Sequence, residues 1–115
     1  MRDTNVYVGP VFDCVKNAKW KYSKACHMFM APPDSEFKLI TLDLAQLHEM
    51  AQRLGLKPEY FQPITTNRAV PHYDLTEGKR WQAVREGTIP MTIDEEVEML
   101  NKWRDFNKRF AGGVK

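Results

Sequence analysis

The chain has 115 residues, of which 43% are hydrophobic and 28% charged, and this size and composition are typical of one globular domain. A net charge of +2 is too small to predict nucleic-acid binding from the overall field, and two cysteines are too few for a secreted disulfide scaffold. No apolar run is long enough for a signal peptide or a membrane span. We therefore expect a cytoplasmic protein without membrane association, folded as a single domain over residues 1–115 with a frayed tail at 110–115.

Four short segments have the composition of β-strands. Val6–Val8 is β-branched and aromatic and stops at a Gly-Pro pair, and the apolar run Cys26–Ala31 is typical of a strand in the middle of a sheet. Phe37–Ile40 predicts a third strand. Ile89–Thr92 predicts a fourth at an edge of the sheet, because its proline cannot donate to a ladder.

Three helices are predicted between and after these strands. Thr41 caps a helix that ends at Gly55, and Asp74 caps a second helix that ends at Gly87. Thr92 opens the last helix, and both Asp74 and Thr92 are followed three residues later by a glutamate, as in a capping box. Helices that alternate with about four short strands predict an α/β fold with a small mixed sheet.

The start of the second helix gathers polar residues that can bind an anion. His72 and Asp74 are two residues apart on an extended segment, so their side chains leave the same side of the backbone while Tyr73 leaves the other. The N–H groups of the following helix favour negative charge, and Lys79 and Arg80 lie in its first two turns. Arg80 falls on the apolar stripe of this helix and is the strongest candidate for a ligand contact.

Each of these residues also has a purely structural explanation. Asp74 can serve only as a helix cap, and His72 can simply follow a proline in a rigid loop. Arg80 can pair with an acidic neighbour such as Glu77 or Asp43.

The leading functional hypothesis is the binding of a small phosphorylated or nucleotide-like ligand. In this hypothesis an aromatic side chain, Tyr73 or Phe61, stacks on a base while Gln62 reads its edge. The basic residues of the segment, together with His72, hold the phosphate. The predicted ligand-binding residues are Phe61, Gln62, His72, Tyr73, Asp74, Lys79 and Arg80.

A second hypothesis is an enzyme that cleaves a phosphoester or nucleotide bond, with His27 and His72 as catalytic acid and base. A third is an interaction protein that binds single-stranded nucleic acid or a host protein through the lysines and aromatics of the segment Lys16–Lys24. The sequence does not decide between binding and turnover, and it indicates no cofactor. The aromatic side of the last helix exceeds what so small a sheet needs to cover, which makes this helix a candidate contact in a homodimer.

No metal site is predicted. The histidines His27 and His72, with Asp74 and a cysteine, lack the close pairs that zinc sites usually show in sequence. Cys26 cannot form a catalytic pair with His27, because neighbours on a strand point to opposite faces.

The segment His72-Tyr73-Asp74-Leu75-Thr76, followed by Lys79-Arg80, resembles a family of small bacterial and phage proteins known as a domain of unknown function, DUF4031. The resemblance covers most of residues 6–91 and leaves out the last helix. It implies a site around this motif without implying a chemistry. In the family, acidic residues follow the first strand and the strand that contains His27, where this chain has Gly9-Pro10 and Ala31-Pro32. If those acidic residues bind a metal or act as a base, this chain is expected to bind without catalysis.

Overall fold

The computed structural model describes residues 5–14, 16, 20–32, 44–63 and 70–108. Its elements form an α/β fold, as the alternation of strands and helices predicts. They are, in chain order, β1 (Val6–Val8), β2 (Phe12–Asp13), β3 (Lys24–Met30), α1 (Ala45–Arg53), a 3-10 turn (Pro58–Tyr60), β4 (His72–Leu75), α2 (Glu77–Arg85), β5 (Ile89–Pro90) and α3 (Ile93–Phe106).

Strand β3 organises the sheet. It pairs antiparallel with β1 along its last residues, with β4 from Cys26 to Phe29, and with the short β2 at its start. Strand β5 pairs parallel with β1. The sheet is therefore mixed, as expected, but it has five strands instead of about four. The strand and helix cap expected at Phe37–Ile40 and Thr41, and the tail at 110–115, lie outside the described residues.

Different helices pack on the two faces of the sheet. One face carries Val8, Cys26, Met28 and Leu75, which form one core cluster with the apolar stripe of α1 and with Ala83 of α2. Because side chains alternate along a strand, the residues between these face the other way. On that second face Phe29 packs with Met99 and Trp103 of α3 in a separate cluster. The layers are thus α1 and α2, the sheet, and α3.

The start of α2 differs from the prediction. Asp74 does not cap this helix, because the ladder with β3 keeps residues 72–75 extended and pairs Asp74 with His27. The cap lies two residues later, where the hydroxyl of Thr76 accepts a hydrogen bond from the backbone N–H of Lys79 at 3.1 Å. The side chain of Asp74 is therefore available for other contacts.

Helix α1 begins at Ala45 after Leu44, which makes no side-chain cap, and not at a cap on Thr41 as predicted. The ends of α1 and α2 and the start of α3 agree with the predicted signals. Gly55 and Gly87 follow α1 and α2 with positive φ angles of 77° and 110°. Thr92 and Glu95 form a complete capping box at the start of α3. Pro58 begins the 3-10 turn, where proline suits the first helical position.

The aromatic side of α3 is used inside the chain. Trp103 is fully buried, and its indole N–H donates to the carbonyl oxygen of Met30 at 2.8 Å. Phe106 packs edge-to-face on Trp103 with ring centroids 5.6 Å apart. The described aromatic side chains of α3 therefore cover the sheet within the chain. In the described part of the chain, no helix has the length and apolar character required to cross a bilayer.

Candidate functional site

The pairing of β3 with β4 brings His27, His72 and Asp74 together on the face that α3 covers. His27 lies directly opposite Asp74 in the antiparallel register, and His72 precedes Asp74 by two residues on the same strand. The Nε2 atom of His27 lies 3.8 Å from Oδ1 of Asp74, and Nε2 of His72 lies 3.5 Å from the same oxygen. We call these three residues the histidine–aspartate cluster.

His72 is held by the backbone next to it. Its Nδ1–H donates to the carbonyl oxygen of Val70 at 2.8 Å, and its side chain is only 7% exposed. A carbonyl oxygen can only accept, so this contact places the ring proton on Nδ1. The second ring nitrogen, Nε2, is left free of this backbone contact and faces Asp74.

His27 is held by α3. Its Nδ1 lies 2.8 Å from Oε2 of Glu96, a carboxylate that is only 6% exposed. Its ring contacts His72 edge-to-face with centroids 5.0 Å apart, and Phe12 lies 4.9 Å away on another side. Since the side chain is 30% exposed, His27 combines a fixed orientation with access from solvent.

Asp74 is held by Gln62. The side-chain amide of Gln62 donates to Oδ2 of Asp74 at 2.5 Å, and a β-bridge joins the backbones of Gln62 and His72. Burial would raise the pKa of Asp74, but its interactions with His72 and His27 and the hydrogen bond from Gln62 outweigh burial and lower this pKa below its usual value. Asp74 is therefore a carboxylate at neutral pH, with Oδ2 occupied and Oδ1 directed at the histidines.

Glu96 is a site residue that the sequence did not indicate. It lies in the first turn of α3, and its carboxylate is packed against Gly9 as well as bonded to His27. The capping box of α3 could be found in the sequence, but the docking of this helix over β1 and β3 could not. Buried carboxylates are rare unless they are paired, so its contact with His27 accounts for its position.

Arg80 contacts the backbone just after the end of β1. Its Nε–H donates to the carbonyl oxygen of Gly9 at 2.8 Å, and the N–H of Gly9 donates to the carbonyl oxygen of His27 at 2.9 Å. Arg80 forms no ion pair with any described residue, so the predicted alternative pairing with Glu77 is not observed. The other predicted partner, Asp43, lies outside the described residues. The guanidinium is thus anchored to the backbone at the end of β1, and the helix that carries it, α2, covers the face of the sheet opposite the histidine–aspartate cluster.

Tyr73 and Phe61 lie on the opposite side of β4. Tyr73 points away from its neighbours His72 and Asp74, and its hydroxyl is hydrogen-bonded to Nδ1 of the exposed His48 at 2.7 Å. Burial raises the pKa of Tyr73. Phe61 packs on both rings, with centroids 5.4 Å from Tyr73 and 4.7 Å from His48.

Lys79 is also separate from the cluster. Its ammonium group donates to the carbonyl oxygen of Leu54 at the end of α1. Of the predicted ligand-binding residues, the structure therefore gathers Gln62, His72 and Asp74. Arg80 contacts the backbone of Gly9, and Phe61, Tyr73 and Lys79 lie elsewhere.

Cys26 faces the core on the side of the sheet opposite His27, as the strand period predicts. Burial raises its pKa to about 12, the carboxylates of Glu96 and Asp74 also raise it, and the charge of Arg80 opposes them. A thiol with this pKa remains protonated near neutral pH and is not an activated nucleophile.

The lysine and aromatic segment is only partly described. Trp20 and Tyr22 share one side, with ring centroids 5.5 Å apart, as expected for an extended chain. Lys24 forms an exposed ion pair with Asp13 at 2.7 Å, and Lys19 lies outside the described residues.

The fold and the histidine–aspartate cluster define a class of small α/β domain with two imidazoles and a carboxylate on one face of its sheet. The family described as "Protein of unknown function (DUF4031)" matches residues 16–103, which is most of the chain, and the protein belongs to that family. The match includes α3 as far as Trp103 and begins after β1, whereas the resemblance in the sequence was placed at residues 6–91. No curated protein and no solved structure gives a significant match.

Proposed function

We propose that the protein is an enzyme that cleaves a phosphoester bond in a small phosphorylated or nucleotide-like substrate. The observation that carries this proposal is the convergence of His27 and His72 on one carboxylate oxygen of Asp74, at a point where His27 and Asp74 are each 30% exposed. A substrate can reach this point from solvent. The side chains that meet there are the types that most often transfer protons in enzymes.

The proposed reaction is the hydrolysis of the phosphoester. The oxygen of a water molecule forms a bond to phosphorus, the bond to the leaving oxygen breaks with its electron pair, the water loses a proton and the leaving oxygen gains one. The residues of the cluster orient and activate the water. Gln62 and Glu96 keep Asp74 and His27 in position, and such fixed orientation is a large part of catalysis.

Arg80 supports the choice of a phosphate group. Its Nε–H donates to the carbonyl oxygen of Gly9, whose N–H bonds the backbone of His27, and the guanidinium has no carboxylate partner among the described residues. Arginine is suited to phosphate because its planar fork of donors can form two parallel hydrogen bonds. A substrate phosphate near His27 would neutralise this charge.

The arrangement favours turnover over simple binding of a nucleotide. The stacking residues of the binding hypothesis, Tyr73 and Phe61, lie on the other side of β4 from His72. They cannot stack on a base while the same small ligand contacts His72 directly across the strand. The phosphorylated ligand is therefore proposed as the substrate of the cluster.

The test is hydrolysis of a panel of nucleotides, cyclic nucleotides and sugar phosphates with divalent metal ions present, followed by phosphate release and product chromatography. We expect turnover of at least one compound, and a loss of about 100-fold or more in kcat/KM for His27→Gln and for His72→Gln. The matched control is His48→Gln, which alters the remaining histidine of the chain, on the other side of the sheet from the cluster.

Circular dichroism and thermal unfolding would confirm that the variants remain folded. Equal turnover by the wild type, His27→Gln and His72→Gln would contradict the proposal. Absence of turnover across the panel would also count against it.

A further inference from the structure

Both histidines of the cluster use Nδ1 for a structural contact and leave Nε2 directed at Asp74. Nδ1 of His72 donates to a backbone carbonyl, and Nδ1 of His27 is bonded to the carboxylate of Glu96. Histidines that bind metals show this pattern, because the partner on the second nitrogen fixes the tautomer and the direction of the free lone pair. Two histidines held in this way on adjacent strands present two lone pairs to one point.

The spacing of the three groups also leaves room for an ion. The two Nε2 atoms lie 3.8 Å and 3.5 Å from Oδ1 of Asp74, which is long for hydrogen bonds to a carboxylate. The three ligand atoms of the cluster all lie within 4.8 Å of one another. Ligands with bonds of about 2.1 Å to a tetrahedral ion are separated by about 3.4 Å. The two separations that include Asp74 are close to this value, and the third, at up to 4.8 Å, requires the imidazoles to move toward each other when an ion binds.

We propose that His27, His72 and Asp74 bind one divalent transition-metal ion through the two Nε2 atoms and a carboxylate oxygen. This inference deepens the proposed function, since it rests on the same site and identifies the group that activates the water. The histidines then act as ligands of the ion and not as free acid and base.

The groups around the cluster complete the arrangement. Glu96 and Val70 hold the two imidazoles, and Gln62 holds the second oxygen of Asp74. Each of the three candidate ligands thus has a polar partner that orients it. Glu96 is a positioning residue, because it acts on the ion through His27.

The two imidazole nitrogens and the carboxylate oxygen indicate which class of metal ion can bind. Two imidazoles and one carboxylate suit Zn²⁺ and related ions such as Co²⁺, whereas Mg²⁺ and Ca²⁺ prefer oxygen ligands throughout. Cys26 supplies no fourth ligand, because it lies on the opposite face of the sheet. Three protein ligands leave at least one coordination position for water or substrate, as in catalytic zinc sites.

The test is direct binding of Co²⁺ and Zn²⁺ to protein freed of metal by a chelator. Titration with Co²⁺ should give one equivalent and a visible absorption band, and Zn²⁺ should displace Co²⁺ and abolish the band. Asp74→Asn and His27→Gln, which alter partly exposed side chains, should each weaken binding more than about 100-fold. Glu96→Ala should weaken it by about ten- to a hundred-fold, as expected for a residue that orients a ligand.

His48→Gln is the matched control and should bind Co²⁺ like the wild type, because His48 contacts Tyr73 on the other side of the sheet. Circular dichroism would verify that each variant is folded. Binding that persists unchanged in the folded double variant His27→Gln, Asp74→Asn would overturn the assignment, and so would the absence of saturable Co²⁺ and Zn²⁺ binding by the wild type.

The experiment separates this inference from the proposed function. One equivalent of Co²⁺ bound through the cluster, without hydrolysis of any phosphoester, would support the metal site and refute the substrate class. Hydrolysis by protein that binds neither Co²⁺ nor Zn²⁺ would refute the metal site and leave the proposed function standing.

Discussion

The site requires a residue without a side chain at position 9, and this residue is Gly9. A Cβ atom at this position would overlap with Oε1 of Glu96, well inside any permitted contact. The carboxylate cannot simply swing away, because it is buried and bonded to His27. Glycine is therefore needed here for space, so that α3 can bring its carboxylate onto the end of β1.

Gly9→Ala should destabilise the protein by about 1–3 kcal/mol, as other overpacked positions do. The physical reason is that the new methyl group displaces the carboxylate of Glu96 and breaks its hydrogen bond with His27. Urea denaturation of the wild type, Gly9→Ala, Glu96→Ala and the double variant gives the coupling energy between the two positions.

In the Glu96→Ala background the side chain that clashes is absent, so Gly9→Ala should cost at least about 1 kcal/mol less there. Equal costs of Gly9→Ala in the two backgrounds would show that the contact with Glu96 is not the reason for glycine at this position.

At the scale of elements, the site depends on the register of β3 and β4. The period of two along a strand was enough to predict that His72 and Asp74 share a side and that Tyr73 points away. Nothing local in the sequence could predict that His27 lies opposite Asp74, because strand partners are chosen by packing over long sequence distances. The separation of His27 from His72 and Asp74 in sequence therefore says nothing against a metal site formed across the two strands.

The misplaced cap of α2 has the same origin. Asp74 and Thr76 are both good capping residues, and local preference alone does not choose between them. The ladder with β3 holds Asp74 in the strand, which leaves Thr76 to cap the helix. Because of this tertiary contact, the helix is capped two residues later than local preference predicts, and the carboxylate of Asp74 is available for the site.

Helix α3 carries Glu96 in its first turn, so this turn should be firmly held. Thr92→Ala removes the hydroxyl that accepts from the N–H of Glu95 and should cost about 1 kcal/mol, or roughly 4–8 °C in Tm. Thr92→Ser keeps an equivalent hydroxyl and is the matched control. Calorimetry would measure both, and an equal loss in the two variants would mean that the capping contact does not stabilise α3.

At the scale of the whole molecule, the class of fold followed from alternating strands and helices, but the layer to which each helix belongs did not. The apolar stripes of α1 and α3 predict that each helix buries one side. They do not predict which face of the sheet each helix covers. Glu96 was missed for this reason. Its neighbours His27 and Gly9 lie far away in sequence and meet it only when α3 packs on the second face.

The docking of α3 should be sensitive to Trp103 and insensitive to Trp81. Trp103 is fully buried and donates to Met30 at the end of β3, whereas Trp81 on α2 is 73% exposed. Trp103→Ala should therefore cost about 3–5 kcal/mol, and Trp81→Ala about 0.5 kcal/mol or less, in urea denaturation. Trp103→Phe keeps an aromatic ring and should lose less than Trp103→Ala. Similar losses for Trp81→Ala and Trp103→Ala would contradict a three-layer fold in which α3 closes the second face and delivers Glu96 to His27.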